Sequence, residues 1–281
     1  LPTSAGNSKR QIWFMQTFGT TFVHIVPSYA LRLFSVFQEM RVDPRDLALK
    51  SFFIGAEPHS EALRRQVQDL YGVRAYNSYG LSEMAGPGIA FECGEQNGMH
   101  LWEDEYVMEI IDPATGEVLP DGEYGELVLT TLCRDAMPLI RYRTHDLTRI
   151  IPEPCPCGRT HRRVERMRGR SDDMLIIGGV NVFPLQIECA MMTVPDIGNN
   201  YVIEIRNEDY LDRIYIKVEV NPRSFAGSLE GMDDMKKRIV NAVRTELGIT
   251  PKVILMEPNS LPASDGKAKR VVDLRRNDYK A

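Results

Sequence analysis

The spacing of apolar residues changes character twice along this chain, which limits it to three differently built stretches. Up to about Asn77, short apolar runs alternate with segments of helical period. The region 10–40 reads as a helix, a strand over 22–26 and a second helix opened by Pro27-Ser28. A proline suits that first turn because its φ is already helical and its missing N–H has no partner to lose. Residues 49–54 form an apolar run ending at Gly55, a strand candidate. Glu61–Tyr71 mixes charged and apolar residues at helical spacing and stops at Gly72, a residue that closes helices in the left-handed conformation. Residues 73–77 are the next strand, followed by a loop punctuated by glycine. Strands separated by helices pair in parallel, so this stretch predicts an α/β layer.

After Gly98 the texture becomes alternation, at 106–112, 125–131 and 147–151. Turn chemistry separates these runs at Asp112-Pro113-Ala114-Thr115-Gly116 and at Pro120-Asp121-Gly122, which predicts an antiparallel meander or a small β-barrel. A third texture begins after Arg170: a strand at 174–177, a Gly178-Gly179 turn, a helix near 184–192, strands at 201–205 and 213–220, and a helix over 232–247. A last strand follows from Val253. The 281 residues suffice for two cores at roughly 100–150 residues each. The expected division is therefore a large domain over 1–169, a joint at 170–172 and a smaller α+β domain over 173–281.

Charge narrows the partners. A formal net charge of -5 argues against a nucleic-acid partner held by neutralising many phosphates, whereas one loop or one lysine can still bind a small phosphate. No apolar run approaches the roughly 18 residues of a membrane helix, so no membrane partner is expected. The opening Leu1-Pro2-Thr3-Ser4-Ala5 does not read as a signal peptide. Five cysteines, an odd number, then favour thiols or a metal site over a disulfide framework, and the cytoplasm as compartment.

Four segments carry the chemistry. In Tyr79-Gly80-Leu81-Ser82-Glu83 an aromatic on a glycine turn can stack a flat ring, and the acid can hold a hard cation such as Mg²⁺. The same residues equally suit an aromatic plug beside a solvated acid. Asp146, within Arg141-Tyr142-Arg143-Thr144-His145-Asp146, can accept two ribose hydroxyls or can brace a turn against an arginine. Gly169-Arg170-Ser171-Asp172-Asp173 puts charge before a buried strand, and Gly178-Gly179 then allows close backbone approach by a ligand or simply a tight turn. Pro262-Ala263-Ser264-Asp265-Gly266-Lys267 displays a lysine after a glycine turn, or forms a soluble tail.

In this order and spacing, the motifs closely resemble the adenylate-forming superfamily of acyl-CoA synthetases and luciferases. Ser171-Asp172-Asp173-Met174-Leu175-Ile176-Ile177 running into Gly179-Val180-Asn181-Val182-Phe183-Pro184, with Gly55-Ala56-Glu57-Pro58 upstream, is similar to phenylacetate–CoA ligases and their aryl-CoA ligase relatives. The resemblance covers essentially the whole chain. It implies an α/β fold: part of an adenylate-forming N-terminal domain, an α/β layer plus a small antiparallel β-barrel, followed by an α+β C-terminal domain. It also implies an AMP-forming ligase that turns an aryl carboxylic acid, phenylacetate foremost, into its CoA thioester through an acyl-adenylate. ATP/AMP, Mg²⁺ and coenzyme A are the implied cofactors and co-substrates.

The resemblance assigns roles as well. Ala56, Glu57, Pro58 and Tyr79 would form the adenine slot. Ser82 and Glu83 would lie near the phosphates, with Glu83 helping to place Mg²⁺. Asp146 would hold the ribose, and Arg170 would reach the ribose or α-phosphate. Lys267 would bridge the carboxylate and the α-phosphate, and Gly179 would approach the pantetheine arm after rotation about Asp172. The family's main triphosphate loop would lie before Leu1, so turnover by this stretch alone is in question. A homodimer, another aryl-acid adenylating enzyme, a catalytically silent nucleotide-binding module and a zinc-stabilised scaffold are the other readings.

Cys155-Pro156-Cys157 is a tight cysteine pair, and Cys93 precedes His100 by seven residues. Thiolates and imidazole are the ligand set of tetrahedral zinc, so Cys93, His100, Cys155 and Cys157 are the expected structural Zn²⁺ ligands, with His161 as a spare. Thiols lying separately in loops are the alternative. Cys133 and Cys189 read as small buried apolar residues.

Overall fold

The computed structural model describes residues 7–84, 86–177, 180–208, 211–221, 229–258, 260–262 and 270–275. The chain separates into two compact units, divided between Asp173 and Met174, with His59–Arg64 grouped with the second.

In the first unit, helix α1 (Ser8–Phe18) ends at Gly19, whose φ of 57° is the left-handed cap that a glycine adopts without strain. Strand β1 (Phe22–Ile25), helix α2 (Pro27–Glu39), strand β2 (Ser51–Ile54), helix α3 (Glu61–Tyr71) and strand β3 (Arg74–Leu81) follow. The three strands pair in parallel, Ile25 beside Ile54 beside Asn77. One sheet face is buried through Phe52 and Ile54 together with Ala30, Leu33, Phe37 and Tyr71. The Tyr71 ring lies 4.7 Å from that of Phe52, and its hydroxyl donates to the Ala30 carbonyl at 2.7 Å, so the phenol is buried without an unsatisfied donor. Fully burying side chains of this size stabilises by roughly 1.5–3 kcal/mol apiece.

Strand β3 does not stop at Asn77. It runs through Tyr79 and Gly80 to Leu81 before a 3-10 turn over Ser82–Met84, so the expected loop around Tyr79 is strand. The cause is the next strand, β4 (Gly86–Glu92), which pairs antiparallel with it. A Cβ on Gly80 would meet the Gly86 carbonyl oxygen at 2.5 Å, so only glycine permits that approach. Strands β5 (Met99–Leu101), β9 (Ile150–Ile151) and β10 (Arg163–Val164) extend this sheet in the order β1-β2-β3-β4-β5-β10-β9. Strands β6 (Tyr106–Ile111), β7 (Gly125–Thr131), β8 (Tyr142–Thr148) and β11 (Gly169–Arg170) form a second, antiparallel sheet in the order β11-β8-β7-β6. Met84, Ile89, Leu101, Ile110, Leu127 and Leu129 share one core, so the two antiparallel layers enclose it like a small barrel.

The second unit opens with the hairpin β12 (Leu175–Ile177) and β13 (Val180–Val182), whose Gly178-Gly179 turn lies outside the described residues. Helix α4 (Pro184–Met191) begins with proline, and the Gln186 side chain accepts from the Phe183 N–H at 3.0 Å. Strands β14 (Ile197–Glu208), β15 (Leu211–Val220), β16 (Lys252–Met256) and β17 (Val271–Asp273) form a sheet ordered β16-β15-β14-β17. Helices α4 and α5 (Leu229–Leu247) cover it through Ile187, Met191, Met235, Ile239 and Val243. This is an α+β unit with its own core. No helix among the described residues is long and apolar enough to cross a membrane.

Candidate functional site

Three of the residues expected to hold a nucleotide, Tyr79, Asp146 and Arg170, meet within the first unit. Tyr79 on β3 donates its hydroxyl to Asp146 Oδ2 on β8 at 2.6 Å. Asp146 is the cross-strand neighbour of Arg170 on β11, and Arg170 Nη1 stands 3.6 Å from Asp146 Oδ1. A bulge in β8, where the β7 register shifts between Glu126 and Val128, turns Asp146 toward Tyr79. His145 carries the kink at φ 63°, a conformation uncommon outside glycine. Thr144 Oγ1 steadies it by accepting the Asp146 N–H at 3.1 Å while donating to the Leu127 carbonyl at 2.8 Å. Burial and the Asp146 carboxylate push the Tyr79 phenol well above its usual pKa, so it remains a donor.

Other predicted residues have partners that spacing did not reveal. Arg170 grips Asp172 with two hydrogen bonds, Nε–Oδ1 at 2.8 Å and Nη2–Oδ2 at 2.7 Å. The Glu57 carboxylate caps the start of α2, accepting the Ser28 N–H at 2.6 Å and the Ser28 hydroxyl at 3.0 Å. Its neighbour Ala56 sits at φ 68°, and Pro58 follows it in the chain. Ser82 and Glu83 are exposed on the 3-10 turn, and the Glu83 carbonyl accepts from Arg134. Burial first, and then the Glu83 charge, raises the Tyr142 pKa, which puts this tyrosine beside the acid. Lys267 and Gly179 lie outside the described residues.

Behind Asp146, fully buried Glu126 fixes the geometry. It accepts from Arg143 Nε at 2.9 Å and Arg143 Nη2 at 2.7 Å, and from the Ser171 hydroxyl at 3.2 Å. The Arg143 hydrogen bonds hold its carboxyl below the ordinary 4.5. A carboxylate with a lowered folded-state pKa stabilises above its unfolded value and loses that contribution as pH falls through the folded value. Glu126→Gln is therefore expected to reduce stability at neutral pH and to flatten the decline as pH falls below the ordinary carboxylate range, read by denaturant titration across pH. An unchanged acid limb would count against the assignment.

The expected metal ligands converge. Cys93 follows β4, His100 is on β5, and Cys155 and Cys157 lie in the loop between β9 and β10. Their ligand atoms all lie within 4.8 Å of one another. Tetrahedral zinc sets two thiolates about 3.8 Å apart, and a thiolate and an imidazole nitrogen about 3.6 Å apart. Here Cys93 Sγ is 3.6 Å from Cys155 Sγ, and Cys157 Sγ is 3.4 Å from His100 Nε2. His100 Nδ1 bonds the His161 carbonyl at 2.8 Å, which leaves Nε2 with its lone pair toward the sulfurs. His161 thus contributes its backbone; its ring stands 6.0 Å from Trp102, outside the ligand cluster. The Arg159 N–H holds the Cys157 thiol down to about 6, whereas burial pushes Cys93 up to about 11. The donor set and spacing fit zinc.

Cys133 and Cys189 correct the sequence reading, because both are exposed. Cys133 sits just past β7, and Cys189 occupies the outer side of α4, whose inner side buries Ile187, Glu188, Ala190 and Met191. An apolar side chain is often buried, but its side of a helix decides.

A family model described as AMP-binding enzyme matches residues 2–133, and one described as AMP-binding enzyme C-terminal domain matches residues 179–275. The chain belongs to the AMP-binding enzyme family. Among its relatives, a phenylacetate–coenzyme A ligase of Thermus thermophilus is 43% identical over 98% of this chain and 65% of its own length. The corresponding ligase of Escherichia coli is 39% identical over 98% of this chain and 63% of its own length. The chain therefore spans less than two thirds of these curated relatives. A solved 2-hydroxyisobutyryl-CoA ligase in complex with an acyl-AMP is 31% identical, with a TM-score of 0.90 over 98% of this chain and 59% of that one. Thr144 and Glu126, which hold Asp146 and its strand in place, are residues that motif reading passed over. Glu126 was signalled as a polar residue in the otherwise apolar, buried strand β7, whereas Thr144 lies in the mostly polar β8 and gave no such signal.

Proposed function

We propose that this chain is part of an AMP-forming ligase that activates an aryl carboxylic acid, phenylacetate foremost, and transfers it to coenzyme A. In the first half-reaction the carboxylate oxygen attacks the α-phosphorus of MgATP, forming an acyl–phosphate bond and releasing pyrophosphate. In the second, the CoA thiol attacks the acyl carbon, the acyl–oxygen bond breaks, AMP leaves and the thiol proton goes to solvent. Both steps are displacements that need no covalent enzyme intermediate.

The contact of Tyr79, Asp146 and Arg170 carries this reading. A ring, a carboxylate and a guanidinium held together offer stacking, two acceptor oxygens for vicinal hydroxyls and a positive charge for phosphate, the three needs of a nucleoside monophosphate. The four phenylacetate–coenzyme A ligases at 39–43% identity support phenylacetate. Ser82 and Glu83, exposed on their turn, are available to the phosphates and Mg²⁺. By the same family resemblance Lys267 and Gly179 act in adenylation and at the CoA arm, with Asp172 as pivot. Zinc bound by Cys93, His100, Cys155 and Cys157 would be structural, since four protein ligands leave no open position. Thiols kept for a metal fit the cytoplasm.

Titration calorimetry with AMP, paired with a pyrophosphate-release assay on phenylacetate and MgATP, tests the reading. AMP is expected to bind this chain, and release is expected from the full-length protein when acid is added, since this chain spans less than two thirds of its curated relatives. Binding without release by the full-length protein marks a nucleotide-binding module instead, and no binding by any adenine nucleotide sinks the proposal.

A further inference from the structure

In the second unit, the two ends of the stretch that carries Lys267 are fastened to one pair of strands. Residues 263–269 lie outside the described residues, but Leu261 before them and Arg270 after them are described. On the entry side, Glu219 of β15 accepts the Leu261 N–H at 2.8 Å and the Asn200 amide at 3.2 Å, both through Oε1. The same Asn200 amide donates to the Leu261 carbonyl at 3.4 Å, so Leu261 is held at both of its backbone polar groups. Ser260, one position earlier, donates its N–H and its hydroxyl to the Glu257 carbonyl at 3.2 Å and 2.6 Å. On the exit side, the Arg270 carbonyl accepts the Ile203 N–H at 2.7 Å, and the Arg270 guanidinium lies 4.2 Å from the centre of the Tyr201 ring. Tyr201 is itself pinned, donating to Glu188 Oε2 on α4 at 2.5 Å.

A bulge produces the entry clamp. Strand β14 pairs with β15 in regular register from Tyr201 to Glu208, but the register shifts between Ile197 and Tyr201. Ile197 pairs with Val220 and Tyr201 with Val218, so β14 places extra residues opposite a shorter span of β15, which re-aims the Asn200 side chain. Gly198 permits the approach, because a Cβ there would meet the Glu219 carbonyl oxygen at 2.6 Å. Glu219 is 8% exposed and alternates with the core residues Val218 and Val220. A carboxylate taken this far out of water costs free energy unless hydrogen bonds offset it, and Leu261 and Asn200 supply them. A chain segment with both ends fixed samples fewer arrangements than one held at a single end.

We propose that Glu219, with Asn200, is a positioning residue for adenylation: it fastens the entry of the segment that carries Lys267 and so presents that ammonium to the reacting groups. This rests on the role given to Lys267 above. Glu219 acts through Leu261 rather than on a substrate, while Tyr201 and Arg270 fix the other end. A charged group stabilises a transition state only when it is held where charge develops, and a displacement of about 1 Å can cost on the order of 100-fold. The loss therefore falls on the half-reaction that uses the lysine. Thioester formation from a preformed adenylate does not use it and is spared.

The test uses the full-length protein and measures the half-reactions separately: pyrophosphate release from phenylacetate and MgATP, and thioester formation from supplied phenylacetyl-adenylate and CoA. Glu219→Ala is expected to slow the first about 10-fold and the second by less than about twofold. Glu219→Gln keeps an oxygen for the Leu261 N–H and should recover most of the first rate. If Glu219→Ala does not fold, Asn200→Ala, which removes the amide from both Glu219 and Leu261, should give the same one-sided loss. A purely structural clamp would lower both half-reactions together, and that result overturns the proposal. Adenylation at the parent rate in the folded variant, or no recovery in Glu219→Gln, overturns it as well and leaves the ligase reading standing. A parent protein that releases no pyrophosphate with any aryl acid removes the ligase reading, and this proposal with it.

Discussion

Cys155→Ser is expected to lower the melting temperature of the protein by on the order of 10 °C and to abolish retention of one zinc per chain. Structural zinc contributes about 10–16 kcal/mol to the folding of small zinc-finger peptides. This unit has a core of its own, so only part of that is at stake, and the loss of one ligand is put at roughly 3–5 kcal/mol. In a domain of this size each kcal/mol moves the midpoint by about 2–4 °C. The destabilisation should localise to the loop bearing Cys155 and Cys157, where zinc would add ties to Cys93 after β4 and to His100 on β5 beyond the His100–His161 hydrogen bond. Atomic emission for metal content and calorimetric melting with and without a chelator check this. A chain that purifies without metal and melts identically in chelator would show the four side chains to be an incidental cluster.

Asp146→Ala is expected to weaken AMP binding by about 100-fold. The carboxylate accepts from Tyr79 at 2.6 Å and stands 3.6 Å from Arg170, so its removal takes away the proposed ribose acceptors and the partner of both neighbours. A hydrogen bond to a charged group is worth about 1.5–3 kcal/mol, and 1.4 kcal/mol is tenfold. Tyr79→Phe keeps the ring and loses only the hydroxyl, so its effect should stay within about tenfold. The contrast between the two variants is the informative quantity. Calorimetry that finds Asp146→Ala binding AMP like the parent, or Tyr79→Phe losing more than Asp146→Ala, would move the nucleotide elsewhere.

The order of elements was legible because periodicity survives wherever one face is buried. Helix α3 begins and ends where its pattern and Gly72 place it, and α4 begins at its proline. Strand ends were less legible. Tyr79 and Gly80 read as a loop since glycine marks turns, yet glycine also marks close strands, and the neighbour that forces it, β4, pairs only in three dimensions. The Tyr142–Thr148 strand was hidden because its polar residues, among them Thr144 and Asp146, line a site.

The sequence by itself determined the family, the alternation of layers and the identity of Tyr79, Asp146 and Arg170 as a candidate set, because those follow from residue types at fixed order and from local periods. Only the tertiary structure decided which groups touch. It turned Glu57 to the start of α2, set Arg170 on Asp172, drew four candidate metal ligands from three separate segments to within 4.8 Å, and left Cys133 and Cys189 in solvent. The physical reason is common to all of these. Contacts between segments distant along the chain depend on register, bulges and which side of an element faces inward, and a shift of one residue reverses them without changing composition or motif.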